Sequence, residues 1–328
     1  MGFTTFGLIG NAALNTSLIK DSPQRMFLLR ALTLPRRRKA PLLSQLPPEV
    51  LVEIFKHVVD VDLPPEDLFY SKFDPEDYHS RLIALCLVSK RWRATALSHP
   101  WFWRRIYINM STGSCVTYEC AMRWFRRSGA QSAKSLWVEA PATCNHEHYQ
   151  EDEDEECALE DEELVRILVE GPALEKLTIA CMSPGCLHRL LQRMACSRSQ
   201  KARLWGSIKT IQLVFRKDWD LPAFTSALKD IGRHSTNLAS LNLWLPWRWN
   251  LLINGHMHED KSLVIKVPTG LLSRLTSLTL GCDWEYTRIL HVLRSCSSLK
   301  QLTLGHPHAQ SGHADEERPP QQDDLSAL

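Results

Sequence analysis

The chain lacks the short motifs on which most enzyme assignments from sequence rest. There is no glycine-rich G-x-x-x-x-G-K-[ST] phosphate loop and no G-x-S-x-G nucleophile elbow, so neither P-loop nucleotide chemistry nor an α/β-hydrolase is indicated. No C-x-x-C pair occurs, which removes the usual half-site of structural zinc. No apolar run reaches the about eighteen residues that a membrane-crossing helix needs. Ten cysteines in 328 residues do not form the dense pattern of a small secreted disulfide scaffold. Several of them (Cys86, Cys181, Cys196 and Cys282) fall inside apolar patterns, where free cysteine acts as a small hydrophobe. A reducing compartment, cytoplasmic or nuclear, is expected, with no membrane partner.

Charge of one sign is also missing overall: the net charge is +2. It is distributed unevenly. Residues 1–40 carry seven Lys or Arg against the single acid Asp21, and residues 147–163 carry eleven acids and no Lys or Arg. The remaining basic residues are scattered, and no aromatic-rich platform accompanies them, so nucleic acid is not an expected partner. Residues 1–40 read as a disordered basic segment, in which Pro35-Arg36-Arg37-Arg38-Lys39-Ala40-Pro41 has the character of a linker or nuclear signal. The start, Met1-Gly2-Phe3-Thr4-Thr5-Phe6, departs from a myristoylation signal at Phe6. The acidic stretch reads as a solvated loop, and 307–328, rich in Pro, Gln and charge, as a disordered tail. Soft ligands do lie close together at Cys144-Asn145-His146-Glu147-His148, with Cys157 nine residues beyond. Acids surround them, and the paired spacing of a closed zinc site is absent. The pair His256 and His258 reads as a solvated loop. No metal, cofactor or small-molecule substrate is expected.

What is present begins at Leu46. Pro47 and Pro48 suit a first helical turn, where a missing N–H costs nothing. Glu49 places negative charge at the positive end of the helix dipole. Leu46, Val50, Leu51, Ile54, Phe55 and Val58 recur at steps of three and four, which predicts an amphipathic helix. A second helix is predicted over 80–88, with Leu82, Leu85 and Cys86 inward, and Asp62 to Tyr78 between the two as a loop. Ser89 can cap a third helix carrying Trp92 and Leu97, and Pro100 stands where it must end. Three short helices cannot hide all these apolar side chains among themselves, which leaves surface for a partner.

The ordered set of Leu46-Pro47-Pro48-Glu49, then Val88-Ser89-Lys90-Arg91-Trp92-Arg93, then Pro100-Trp101-Phe102-Trp103 resembles an F-box. That helical module docks a substrate receptor onto the Skp-family adaptor of a cullin-RING ubiquitin ligase. The resemblance covers 41–108. It implies adaptor contacts by Leu46, Pro47, Pro48, Val50, Leu51, Ile54 and Phe55, with Trp92, Trp101 and Trp103 holding the module together or completing the contact. The connection after the first helix is longer than is usual for the family.

The rest of the chain repeats. Segments beginning at Leu174, Ile208, Leu238, Leu275 and Leu299 read L-x-x-L-x-L with Ile allowed, and Lys134-Ser135-Leu136-Trp137-Val138 shares the strand-like core. Helical patterns precede most of them, and Gly171 and Gly232 stand where helices should stop. Over 109–306 this resembles an irregular leucine-rich-repeat solenoid of parallel strands and helices, each unit covering its neighbour's apolar edge. The ladder positions hold Arg216, Pro246, Asp283 and Pro307 in place of the usual Asn or Cys. The expected fold class is therefore α/β, an F-box-like helical module followed by this array.

With the leucines inward, alternation places Trp137, Thr178, Gln212, Asn242, Thr279 and Thr303 in one outward row, with Trp244 in the next. These residues are the candidate contacts for a target protein, since Trp is enriched among residues that dominate binding. The expected function is that of a non-enzymatic substrate receptor holding the Skp-family adaptor, and through it the cullin scaffold, at one end and a target at the other. The competing readings are a repeat scaffold with a vestigial F-box and, further off, a metal- or cysteine-dependent hydrolase.

Overall fold

The computed structural model describes residues 46–59, 76–112, 116–141, 157–196, 205–216, 221–245, 267–282 and 286–305. The chain divides into two compact units, Met1–Pro48 and Glu49–Leu328. In the second unit the helices matching the F-box resemblance share one body with the strands that follow. The segments 1–45, 60–75, 142–156 and 306–328, with their expected disorder, loops and Cys144–His148 cluster, lie outside the described residues, as do Pro246, His256, His258 and Asp283.

Helix α1 spans Pro48–Val59, α2 Glu76–Val88 and α3 Lys90–Ser98. Glu49 lies in the first turn of α1 and Lys56 and His57 in its last, so both ends oppose the helix dipole favourably. The second helix begins four residues earlier than the apolar pattern indicated, absorbing Glu76, Asp77 and Tyr78 from the expected loop. Ser89 caps α3: its Oγ accepts from the Trp92 N–H at 3.1 Å. Ser89→Ala is expected to cost about 1 kcal/mol, read as a lowered denaturation midpoint; an unchanged midpoint would mean that the cap is energetically idle. A 3-10 turn, Pro100–Trp103, then leads into strand β1, Arg105–Asn109.

A single sheet of seven strands follows, all neighbours parallel and in chain order: β1, then β2 (Ser135–Glu139), β3 (Lys176–Cys181), β4 (Thr210–Phe215), β5 (Ser240–Trp244), β6 (Ser277–Gly281) and β7 (Gln301–Gly305). Six of these coincide with the repeated segments. The leading residues Leu174, Ile208, Leu238 and Leu275 are buried in the turns that enter the strands, not in the strands themselves. The seventh, β1, was not anticipated. Its Ile106-Tyr107-Ile108 alternation is a strand signal, but it lacks the leucine pattern and straddles the expected domain boundary at 108.

The helices between strands are α4 (Tyr118–Arg127), α5 (Glu162–Glu170), α6 (Pro184–Cys196), α7 (Leu221–His234), α8 (Thr269–Leu272) and α9 (Tyr286–Leu293). Right-handed crossovers between strands taken in sequential order all return on the same side, so the helices form one layer. The core confirms this: Leu177, Ile179, Ile211, Leu213, Leu241 and Leu243 share one buried cluster with Leu164, Ile167, Leu187, Leu190, Phe224 and Leu228. Each such leucine contributes roughly 1.5–3 kcal/mol by leaving water.

Two expectations fail here. Gly232 does not end a helix but lies inside α7, where a Cβ would stand 3.2 Å from Leu271 Cβ; its role is close approach. The acidic stretch also ends in structure. Asp161 Oδ1 accepts from the Leu164 N–H at 2.9 Å as the cap of α5, and Glu162 and Glu163 occupy its first turn. The reason is again the dipole, which favours carboxylates at that end. Gly171 does stand at the end of α5, its N–H donating to Ile167 O.

Candidate functional site

Helix α1 separates its apolar residues into two adjoining stripes. Leu51, Phe55 and Val59 are buried, while Val50, Ile54 and Val58, one step round the helix, turn outward. Helix α2 does the same: Leu82 and Leu85 are buried, while Ile83, Leu87 and Val88 are not. Together, Val50, Val58, Ile83, Leu87, Val88 and Leu97 of α3 are 40–68% exposed. That many exposed branched aliphatics on three short helices is the mark of a surface built for a partner.

The inward stripes are held by aromatic contacts. Phe55 meets Trp92 at 4.9 Å and Phe102 at 6.0 Å between ring centroids. Trp103 Nε1 donates to Ala96 O at 2.9 Å, and Tyr78 Oη donates to Phe102 O at 3.0 Å. The Arg104 guanidinium lies 4.8 Å from the Trp101 ring. Leu51 and Phe55 are therefore corrections to the expected contact set: they are buried and serve the module's own packing, and Trp103, for which holding the module together was one of the two expected roles, is buried beside them. Trp92 and Trp101 are half-buried, as are Ile54 and Leu46; Pro47, Pro48 and Val50 are exposed. The sequence reading missed Ile83, Leu87, Val88 and Leu97 as surface residues. The apolar period picked out the inward Leu82 and Leu85, whereas the exposure of the remaining aliphatics depends on what stands opposite them in the fold.

His79 ties these helices to α4, its ring 4.7 Å from Trp124, which in turn lies 4.7 Å from Trp103. Its Nε2 is sealed from solvent, and burial lowers its pKa from 6.5 to about 4. Burial, with help from the Lys56 ammonium, lowers His99 as well. A depressed histidine stabilises the fold fully above the unfolded value near 6.5. That stability drains as pH falls toward 4, because the unfolded ring takes a proton that the folded one refuses. The denaturant midpoint should drop between pH 7 and pH 4.5, and His79→Gln should flatten part of that slope. An equal slope in the variant would remove His79 from the account.

The face of the sheet opposite the helices carries the second candidate surface. The strand registers place Tyr107, Trp137, Thr178, Gln212, Asn242, Thr279 and Thr303 side by side in one continuous row. The row is as expected, but its accessibility is not. Thr178, Gln212, Thr279 and Trp244 are only 2–8% exposed, which corrects their assignment as open target contacts. Trp244 packs with Ala180 and Val214 and lies across Gly281 and Gly305, whose missing side chains make the space. Trp137 and Asn242 are half-buried and Thr303 is exposed. At the β1 end, Tyr107 stacks edgewise on Trp137 at 5.6 Å, and both Tyr107 Oη and the Arg216 guanidinium donate to Glu139. Arg216 therefore fills its ladder position with an ion pair across strands.

Among the described residues no group of three or more His, Cys, Asp or Glu is placed to hold a metal ion, and no helix is long and apolar enough to cross a membrane.

Comparison with known proteins agrees with the geometry at the front of the chain. A protein-family model described as F-box-like matches residues 43–109, from just before α1 to the last residue of β1. The chain thus carries an F-box-like domain, a class that acts through protein interaction and generally binds Skp-family adaptors. No curated protein matches the chain.

Proposed function

We propose that this protein is the substrate-recognition subunit of an SCF-type cullin-RING ubiquitin ligase. The observation that carries the reading is the set of exposed aliphatics on α1, α2 and α3, lying within the F-box-like match. The Skp-family adaptor covers that surface and links the chain to a cullin. The array after it is an irregular leucine-rich-repeat solenoid in character, and it holds a target protein at the accessible members of its rows, Trp137 and Asn242 foremost.

The chain then needs no catalytic side chain. Its contribution is proximity: holding target and ligase in one complex makes the transfer effectively intramolecular. It works in the cytoplasm or nucleus. The test is to mix the purified full chain with a Skp-family adaptor and measure co-elution by size-exclusion chromatography. One-to-one co-elution is expected. Separate elution of two folded proteins would overturn the reading in favour of a repeat scaffold with a vestigial F-box.

A further inference from the structure

The two ends of the sheet are finished differently. At the β1 edge, Ile106, Tyr107 and Ile108 are all buried. At the β7 edge, Leu302 and Leu304 are 40% and 50% exposed, although their register partners Leu278 and Leu280 on β6 are buried in the core. An exposed edge strand is usually guarded by charge, proline or a bulge. Gln301-Leu302-Thr303-Leu304-Gly305 has none of these.

Among the described residues, the backbone groups of this strand that do not face β6 have a definite pattern. The Gln301 N–H donates to Thr276 O at 3.0 Å. Backbone direction alternates along a strand, so Gln301, Thr303 and Gly305 turn their groups toward β6, and Leu302 and Leu304 turn theirs to the open side.

We propose that the β7 edge pairs with β7 of a second copy of this chain, antiparallel, about a two-fold axis at Thr303. That axis is perpendicular to the sheet, so the helix layers of both copies stay on the same side. Leu302 then lies opposite Leu304 of the other copy, and Leu304 opposite its Leu302. These are the positions whose backbone groups face outward, so both become hydrogen-bonded pairs. Thr303 faces its own counterpart in a non-hydrogen-bonded pair, an arrangement favourable for threonine. Gln301 meets Gly305, and no like charges are opposed. A register shifted by two residues in either direction leaves one leucine of each copy without a leucine partner. The strand is complementary to itself in backbone and side chains, which is what an isologous contact requires. This inference rests on the sheet alone and stands or falls separately from adaptor binding.

The test uses the full chain and light scattering across a concentration series, with two kinds of variant. The wild type should approach twice the 37.6 kDa chain mass as concentration rises, and Leu302→Lys/Leu304→Lys should remain at the single-chain mass. Under mild oxidation Thr303→Cys should form a disulfide to its counterpart, located by peptide mass spectrometry, because residues in a non-hydrogen-bonded pair lie about 4.5 Å apart at Cα. Gln301→Cys, which faces Gly305, should form far less. The cross-link arm does not depend on the lysine variant folding. A single-chain mass up to about 100 µM, above the micromolar end for small specific interfaces, would overturn the proposal. So would a dimer that survives the lysine pair and gives no Thr303→Cys cross-link, since its contact would lie elsewhere.

Discussion

Ile83→Asp/Leu87→Asp is expected to abolish capture by a Skp-family adaptor while leaving the fold intact. The two side chains are four residues apart and share the outward face of α2, and each is more than half exposed. In the free chain they contribute little, so the double change should move the denaturation midpoint hardly at all; surface substitutions usually fall within about 0.5 kcal/mol each. In the complex they leave water. Losing the burial of their exposed portions removes roughly 2–4 kcal/mol, and each carboxylate adds a desolvation cost. The binding constant should weaken by about a hundredfold to ten-thousandfold, read by titration calorimetry. Leu82→Ala is the contrasting variant: it creates a cavity, costs about 2–5 kcal/mol of stability, and touches the adaptor only through the fold. If the aspartate pair bound the adaptor as tightly as the wild type, the α2 face would not be the docking surface.

Gly281→Ala should be the most damaging small substitution in the sheet. A Cβ built there would stand 2.1 Å from Trp244 Cε3 and 2.5 Å from Cζ3. Trp244 is buried over Ala180 and Val214, so its ring has little room to retreat. Overpacking of this kind costs about 1–3 kcal/mol, occasionally more. The denaturant midpoint should fall accordingly, and Trp244→Leu in the same chain should restore part of it, since the smaller side chain vacates the space. The two changes in combination should therefore cost less than the sum of the singles. Strict additivity would show that the clash is not what the glycine avoids. The same experiment bears on the target surface, because a Trp244 that braces the sheet from within is a structural residue and not a binding anchor.

Much of this architecture is legible in the residue pattern. Leu177, Ile211, Leu241, Leu278 and Leu302 mark five parallel strands because period-two alternation and the leucine spacing coincide there. Ser89 marks a helix start because a hydroxyl before an apolar period has one economical use. β1 escaped because Ile106-Tyr107-Ile108 carries no leucine signature. Gly232 misled because a glycine that admits a neighbouring helix looks the same in sequence as one that ends its own.

The candidate sites divide along a similar line. The sequence by itself determined which residues alternate, which faces are apolar, and that the front helices hold more greasy side chains than they can hide. Those are local properties, set by the periods of helix and strand. Only the tertiary structure decided that Leu51 and Phe55 turn inward, that Trp244 roofs two glycines, and that Leu302 and Leu304 on the last described strand stay exposed. Burial depends on what stands across from a residue, and that neighbour usually comes from a distant part of the chain.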